Sequence, residues 1–236
     1  MSVAMLALLA VIVMISAFVQ GTIGVGFALI MAPILAFVAP DLLPVCLLVL
    51  MIPLNAYVAW RERAALDFPG AGWITAGRFL GTFGGLWVLA ALTASHLGIV
   101  IGAATIVLAI VTLIAPAFKP NRRALFGAGV ITGVAATATG IGGPPLALVY
   151  QHQPAPTLRS TIAFCFLVGQ LISLAVLAIA GRVAAAQFEA AFLLLPAMAI
   201  GALVSRLAHH RVGGKLLRTC VMLFSIVSGA VLLVRA

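Results

Sequence analysis

Apolar stretches of about 20 residues recur along the whole chain and contain very few charged residues. Hydrophobic residues make up 65% of the 236 residues and charged residues only 7%, and the mean hydropathy is +1.32. A soluble domain would carry roughly a quarter charged residues. Runs of this length without interior charge are typical of transmembrane helices. We therefore predict an all-α polytopic membrane protein, with a single membrane domain over 1–236.

The apolar pattern divides the chain into ten segments, at 2–20, 26–39, 42–60, 71–93, 96–116, 124–139, 143–153, 158–180, 186–207 and 214–235. The first segment has no basic residues before it and runs into Gln20 rather than into a small-residue cleavage site. We expect it to be retained as the first helix and not removed as a signal peptide.

Two glycine-rich breaks interrupt this pattern at matching places. The first is formed by Gly24, Val25 and Gly26, and the second by Gly140, Ile141, Gly142 and Gly143. An offset of 116 residues relates the two breaks and also aligns Leu9 with Leu125, Ile15 with Ile131, Ala39-Pro40 with Ala155-Pro156 and Leu42 with Leu158. We therefore predict two repeats, over 1–118 and 119–236, of about five helical segments each.

The second segment of each repeat, at 26–39 and at 143–153, is short for a full membrane span. Each repeat is therefore predicted to begin with a re-entrant or broken helical hairpin, which enters the membrane and returns to the side that it left. Pro40 and Pro156 are expected to end the returning arms, because proline stops a helix.

The basic residues predict the orientation of the two repeats. If Arg61 and Arg63 are cytoplasmic and both hairpins are re-entrant, ten basic residues lie inside and two outside, as the positive-inside rule requires. The repeats are then inverted, and both termini are non-cytoplasmic. This loop bias explains the net charge of +9 better than nucleic-acid binding does. The ten inside are Arg61, Arg63, Lys119, Arg122, Arg123, Arg159, Arg206, Arg211, Lys215 and Arg218, and the two outside are Arg182 and Arg235.

The breaks are the predicted substrate site. Bare backbone at membrane depth is tolerated only where it lies inside the protein or lines a cavity. Glycine permits a positive φ and close approach of a ligand, and we expect both properties at Gly24 and Gly142. The helix after each break directs free N–H groups and a positive dipole end at the gap, and Pro144 and Pro145 suit such a helix start. Two helix starts that meet would bind an anion through partial charges, without a fully charged side chain. The alternative interpretation is that both breaks are helix kinks that serve packing alone.

The second break, Thr139-Gly140-Ile141-Gly142-Gly143-Pro144-Pro145-Leu146, and the looser first break, Gly21-Thr22-Ile23-Gly24-Val25-Gly26-Phe27, resemble the paired signature of the sulfite exporter TauE/SafE-like permeases. The resemblance spans essentially the full chain, in length, segment order and the basic loop between the halves. It implies a transporter of small sulfur-containing or organic anions, sulfite and sulfonates among them, in the bacterial inner membrane.

Arg78 is a candidate ligand inside an apolar segment. It lies beside a ridge of small residues, Gly77, Gly81 and Gly85, which predicts close helix packing. The side chain either faces a cavity, where it would pair with an oxyanion, or extends to the cytoplasmic headgroups.

Asn55 and Gln170 occupy corresponding segments, within one position of the repeat offset. Either residue would donate to the anion or form a hydrogen bond across helices. His152 either carries a proton or is solvated near the cytoplasmic surface, and its position near the end of the second hairpin favours the second role. Asp41 and Glu189 lie near segment ends, and Glu62 and Asp67 belong to the inside loop, so no carboxylate is expected at the midplane.

The inverted repeats and broken helices favour a secondary transporter, and an anion channel is the alternative. The family resemblance implies that the transporter works as an exporter. An enzyme is not expected, because no acid/base pair, activated nucleophile or metal-ligand set is found at helical spacing. Cys46, Cys165 and Cys220 are scattered without disulfide or metal spacing. We expect no metal or cofactor, and a small anion and the lipid bilayer as partners. The sequence leaves open whether the protein forms a homo-oligomer.

Overall fold

The computed structural model describes residues 3–91, 94–114, 121–208 and 214–235, and all of the regular structure in these ranges is helical. Short 3₁₀ turns at Pro40–Leu42 and Arg63–Ala65 flank the third of the ten described α-helices. The α-helices are α1 (Val3–Ile23), α2 (Phe27–Val38), α3 (Val45–Arg61), α4 (Phe68–Ala91), α5 (Ala94–Ile114), α6 (Arg122–Thr139), α7 (Gly143–Tyr150), α8 (Ala155–Ile179), α9 (Ala185–Ala208) and α10 (Gly214–Arg235).

Each predicted apolar segment corresponds to one of these helices, and the all-α fold class is confirmed. Helices α1, α4, α8 and α9 are long and apolar enough to cross a membrane. The arms that follow the glycine breaks are short, at 12 residues in α2 and 8 residues in α7. The re-entrant path and the inverted orientation of the halves stay predictions.

The core of the bundle is formed around α2, α3 and α7, in which most residues are buried. The outer helices instead expose large apolar side chains, including Trp87 of α4 and Phe192 of α9, which are 73% and 61% exposed. An apolar exterior is what a helix in contact with lipid tails requires.

The predicted ridge of small residues on α4 packs directly on α6. A Cβ atom on Gly77 or Gly81 would collide with the carbonyl oxygens of Phe126 and Val130, and one on Gly85 would lie 2.6 Å from the carbonyl oxygen of Val134. Backbones approach this closely only where side chains are absent. The expected close packing is confirmed.

The two halves of the chain, α1–α5 and α6–α10, exchange equivalent contacts. Helix α4 packs on α6 as α9 packs on α1, α4 packs on α8 as α9 packs on α3, and the pairs α3–α8 and α5–α10 also pack together. A two-fold relation between the halves would produce this pattern, since the offset of 116 residues converts each pair into its counterpart.

The prolines behave differently in the two halves. Helix α2 ends at Val38, just before Pro40, as predicted. The expectation for Pro156 is wrong, because α7 already ends at Tyr150 and Pro156 lies in the first turn of α8. Proline is tolerated there because the first turn of a helix does not use its N–H groups. Among the basic residues used for orientation, Lys119 and Arg211 lie outside the described residues.

Candidate functional site

The first break has left-handed backbone at both glycines. Gly24 has φ of 87° and Gly26 has φ of 131°, and they separate the end of α1 from the start of α2. Residues other than glycine rarely adopt such angles. The expected positive φ is therefore found at Gly24.

The second break reaches its turn at a different glycine from the one expected. Gly140 ends α6 with φ of 81°, whereas Gly142 has φ of −128°, so the expectation of a positive φ at Gly142 is wrong. Space is the constraint at Gly142, because a Cβ atom there would lie 2.9 Å from Ala136 Cβ and from Thr132 Cγ2. Thr132 also donates a 3.2 Å hydrogen bond to the Gly142 carbonyl, which fixes the break against α6.

The two breaks lie against each other in the interior, and all of their residues are buried. A Cβ atom on Gly143 would lie 3.6 Å from Cβ of Val25. Each break also packs on the other half, since Gly24 contacts the start of α8 and Gly140 contacts Leu47 of α3. The structure therefore brings the two predicted motifs together.

A chain of buried amide groups crosses between the halves beside the first break. Asn55 Nδ2 donates to Gln170 Oε1, and Gln20 Nε2 donates to Asn55 Oδ1, each at 3.2 Å. The Phe27 N–H, at the start of α2, donates to Gln20 Oε1 at 3.2 Å. The interhelical bond between Asn55 and Gln170 is the second of the two roles expected for them.

Gln20 is not among the site residues that the sequence predicts, although a glutamine four residues before a glycine break in an apolar helix is an unusual polar residue. Its Oε1 accepts a hydrogen bond from the Phe27 N–H group, which is one of the donors expected to face the anion. The first turn of α7 is also poor in donors, because Pro144 and Pro145 have no N–H group. Free backbone donors are therefore fewer than the two helix starts alone suggest.

Arg78 is fully buried, so its side chain does not extend to the headgroups. Its Nη1 donates to the Cys165 carbonyl at 3.2 Å, and its guanidinium carbon lies 5.4 Å from the centre of the Phe166 ring. Gly169 makes room for it, because a Cβ atom there would collide with Arg78 Nε. Phe166 in turn reaches the second break, with Cζ 4.0 Å from where a Cβ atom of Gly143 would stand.

The remaining edge of this guanidinium is unpaired among the described residues, since neither Nε nor Nη2 has a hydrogen-bond partner. Glu62 forms ion pairs with Arg61 and Arg159, and neither pair includes Arg78. Nε and Nη2 form one planar fork, which matches the two oxygens of a carboxylate or sulfonate. A buried cation that no carboxylate neutralises is costly, and in membrane proteins it marks a binding site or transport path.

A multi-pass helical bundle with two backbone breaks buried at its centre has the architecture of a membrane transporter. The chain matches the family model for the sulfite exporter TauE/SafE over residues 8–232, which is nearly its whole length, and it belongs to that family. No curated protein and no solved structure matches it. The resemblance predicted from the two breaks is confirmed, and with it the class of a transmembrane permease.

Proposed function

We propose that the protein is a secondary transporter, working as an exporter, of small anions such as sulfite, sulfonates or related organic acids. In this proposal the anion is held where the two breaks meet, between Val25 and Gly143, with Arg78 as its charged ligand. Membership of the sulfite exporter family supports the class of solute.

The unpaired guanidinium of Arg78 is the observation that carries the proposal. Its free Nε–Nη2 edge would form two parallel hydrogen bonds to an oxyanion, and such charge-assisted pairs are roughly twice as strong as neutral ones. The pairing would also neutralise a charge that is otherwise isolated in a low-dielectric interior. A cation would meet the same guanidinium with repulsion.

The two helix starts and the amide chain would complete the site. The starts of α2 and α7 add partial positive charge, which favours an anion over a neutral solute. Asn55 and Gln170 hydrogen-bond to each other, so they would contact the anion only after that bond is exchanged. We therefore propose a secondary role for Asn55 and Gln170 and a primary role for Arg78.

Burial of the whole site favours a carrier over a channel. All residues from Gly24 to Gly26 and from Gly140 to Gly143 are buried, so an anion would reach them only after the helices move. A carrier requires such movement in every cycle, with one half of the fold rocking against the other.

Contacts at the ends of the second hairpin support a re-entrant path. The guanidinium of Arg122, which begins α6, lies 5.8 Å from the Trp73 ring of α4. Tyr150, which ends α7, donates a 2.7 Å hydrogen bond to Asp67, just before α4. Both ends of this hairpin therefore lie near the start of the same helix, and we propose that the hairpin enters and leaves on one side.

The first hairpin has a related contact with α9, the counterpart of α4. Gln187 near the start of α9 donates a 2.9 Å hydrogen bond to the Asp41 carbonyl, which follows α2. With the basic loops inside, this arrangement supports the proposal that both termini lie outside the cytoplasm. We propose the bacterial inner membrane as the location, and inverted repeats over 1–118 and 119–236.

Flux into proteoliposomes tests the proposed function. Purified protein would be assayed with sulfite, thiosulfate, methanesulfonate, acetate and, as non-anionic controls, choline and glycerol. We expect saturable uptake of at least one anion, and acceleration by the same anion trapped inside, which a carrier gives and a channel does not. Preference for choline or glycerol over every anion would refute the proposal.

A further inference from the structure

A second cluster of guanidinium groups lies at the end of α3, away from Arg78. Arg61 is the last residue of α3, Glu62 follows it, and Arg159 lies in the first turns of α8. The side chains of the three residues are 13%, 12% and 10% exposed, so they are largely buried but reached by solvent. Two cations and one carboxylate leave this arginine cluster with a net charge of +1.

Glu62 sits in the cluster as an oxyanion would. Arg159 Nε lies 3.0 and 2.9 Å from the two Glu62 oxygens, and Arg159 Nη2 lies 2.8 Å from Oε1. Arg61 Nη2 donates to the same Oε1 at 2.9 Å. One carboxylate therefore fills the fork of Arg159 and bridges to Arg61, which is the geometry with which guanidinium groups bind carboxylates and sulfonates.

Arg61 also has hydrogen-bond donors that are not used by Glu62. Among the described residues, its Nε and Nη1 and the Tyr57 hydroxyl are buried without a hydrogen-bond partner. Tyr57 and Arg61 are one helical turn apart and lie together, with the guanidinium carbon 5.6 Å from the ring centre. Each fork of a guanidinium includes Nη2, and the Nη2 group of Arg61 donates to Glu62 Oε1 and to the Gly21 carbonyl. A bidentate anion on Arg61 must therefore displace one of these two acceptors, of which Glu62 is the anion-like one.

The cluster is joined to the first break. Arg61 Nη2 donates to the Gly21 carbonyl at 3.1 Å and Arg159 Nη1 donates to the Thr22 carbonyl at 3.4 Å, at the end of α1. Arg159 also packs on Gly24, where a Cβ atom would lie 3.0 Å from Arg159 Cγ. An anion that draws these guanidinium groups away would therefore release the helix end that forms the break.

We propose that Arg61 and Arg159 form a second anion-binding site, for a small carboxylate or sulfur oxyanion, in which the Glu62 carboxylate is a built-in competitor. The inference rests on the proposed function, because it gives the transported class of anion a position before or after the central one. Glu62 keeps the site closed until an anion replaces it.

Equilibrium binding of radiolabelled sulfite to the purified full-length protein tests this site. The measurement is made in the Arg78→Gln background, which removes the charge of the proposed central site. We expect sulfite binding to persist there, to tighten at least about tenfold in Glu62→Gln, and to weaken at least about tenfold in Arg61→Gln. Arg61→Lys should recover part of the loss, since it keeps the charge but not the fork.

Two exposed residues give matched controls. Arg63→Gln makes the same charge change two residues from Arg61, and Glu189→Gln removes a carboxylate far along the chain; neither should alter binding. A folded Glu62→Gln protein with unchanged or weaker sulfite binding would overturn the proposal. If Glu62→Gln does not fold, Glu62→Asp, which shortens the competing side chain, should still tighten sulfite binding. Unchanged or weaker binding by Glu62→Asp would then overturn the proposal.

Proteoliposome flux of the parent protein separates this inference from the proposed function. If the parent transports sulfite but Glu62→Gln does not tighten binding, the second site is wrong and the transporter stands. If the parent transports no anion while sulfite binding still depends on Glu62 and Arg61, the second site stands and the transport proposal fails.

Discussion

Replacing Gly169 with alanine tests whether the position of Arg78, and not only its charge, determines transport. The added Cβ atom would collide with Arg78 Nε, so the guanidinium must move away from its position against Gly169 of α8. Overpacking of this kind costs about 1–3 kcal/mol, and alanine returns up to about 1 kcal/mol of helix propensity. The net loss of stability is therefore about 0–3 kcal/mol, which is small enough for the variant to fold.

The effect on the substrate should be larger. Hydrogen bonds to a charged group contribute about 1.5–3 kcal/mol, so a displaced fork should raise the half-saturation concentration for the anion roughly 10- to 100-fold. Sulfite counterflow in proteoliposomes measures this change, and a melting curve in detergent confirms the fold. Gly127→Ala is the control, because that helical glycine has nothing within 4 Å of the added atom. Transport by Gly169→Ala that equals the control would refute the assignment of Arg78.

Further predictions concern topology and the two breaks. Cysteine labels at Arg235 and Arg122 should react from outside and from the cytoplasm respectively, and a cytoplasmic label at Arg235 would contradict the inverted repeats. Gly24→Ala should lose transport, because Gly24 has φ of 87° and the added Cβ atom would lie 3.0 Å from Arg159 Cγ. Gly181→Ala is the control with φ of 67° and nothing within 4 Å of the added atom, and it should keep transport. If both variants lose transport equally, strain in the backbone alone explains the loss. Gly142→Val should fold but not transport, because Thr132 and Ala136 fill the space, and normal flux would make that break a packing kink.

The sequence predicts the helices well because the physical signal is strong and local. Apolar runs define every segment, including the two arms that are too short for a full span, and glycine and proline mark the breaks within a few residues. Pro156 shows the limit of this signal. Proline occurs both after the end of one helix and in the first turn of the next, so the residue alone does not tell which of the two helices it bounds.

The site is predictable only in part, since its contacts join distant segments. Asn55 and Gln170 are found because the repeat offset pairs them. Gln20 forms a hydrogen bond with Asn55, 35 positions away, and Arg159 forms one with Glu62, 97 positions away. Pairs so far apart in the chain produce no local sequence pattern from which they could be predicted. The positive-inside prediction uses Arg159 as an inside charge, whereas the structure has it largely buried and bound to the end of α1.

Sulfite counterflow by Arg78 variants tests the central claim most directly, which is that the breaks hold an anion with Arg78 as its charged ligand. At equal amounts of folded protein, Arg78→Lys should transport with weakened affinity, because it keeps the charge and loses the fork. Arg78→Gln should weaken affinity further, since both are lost. Transport by both variants with the affinity of the parent would contradict the claim.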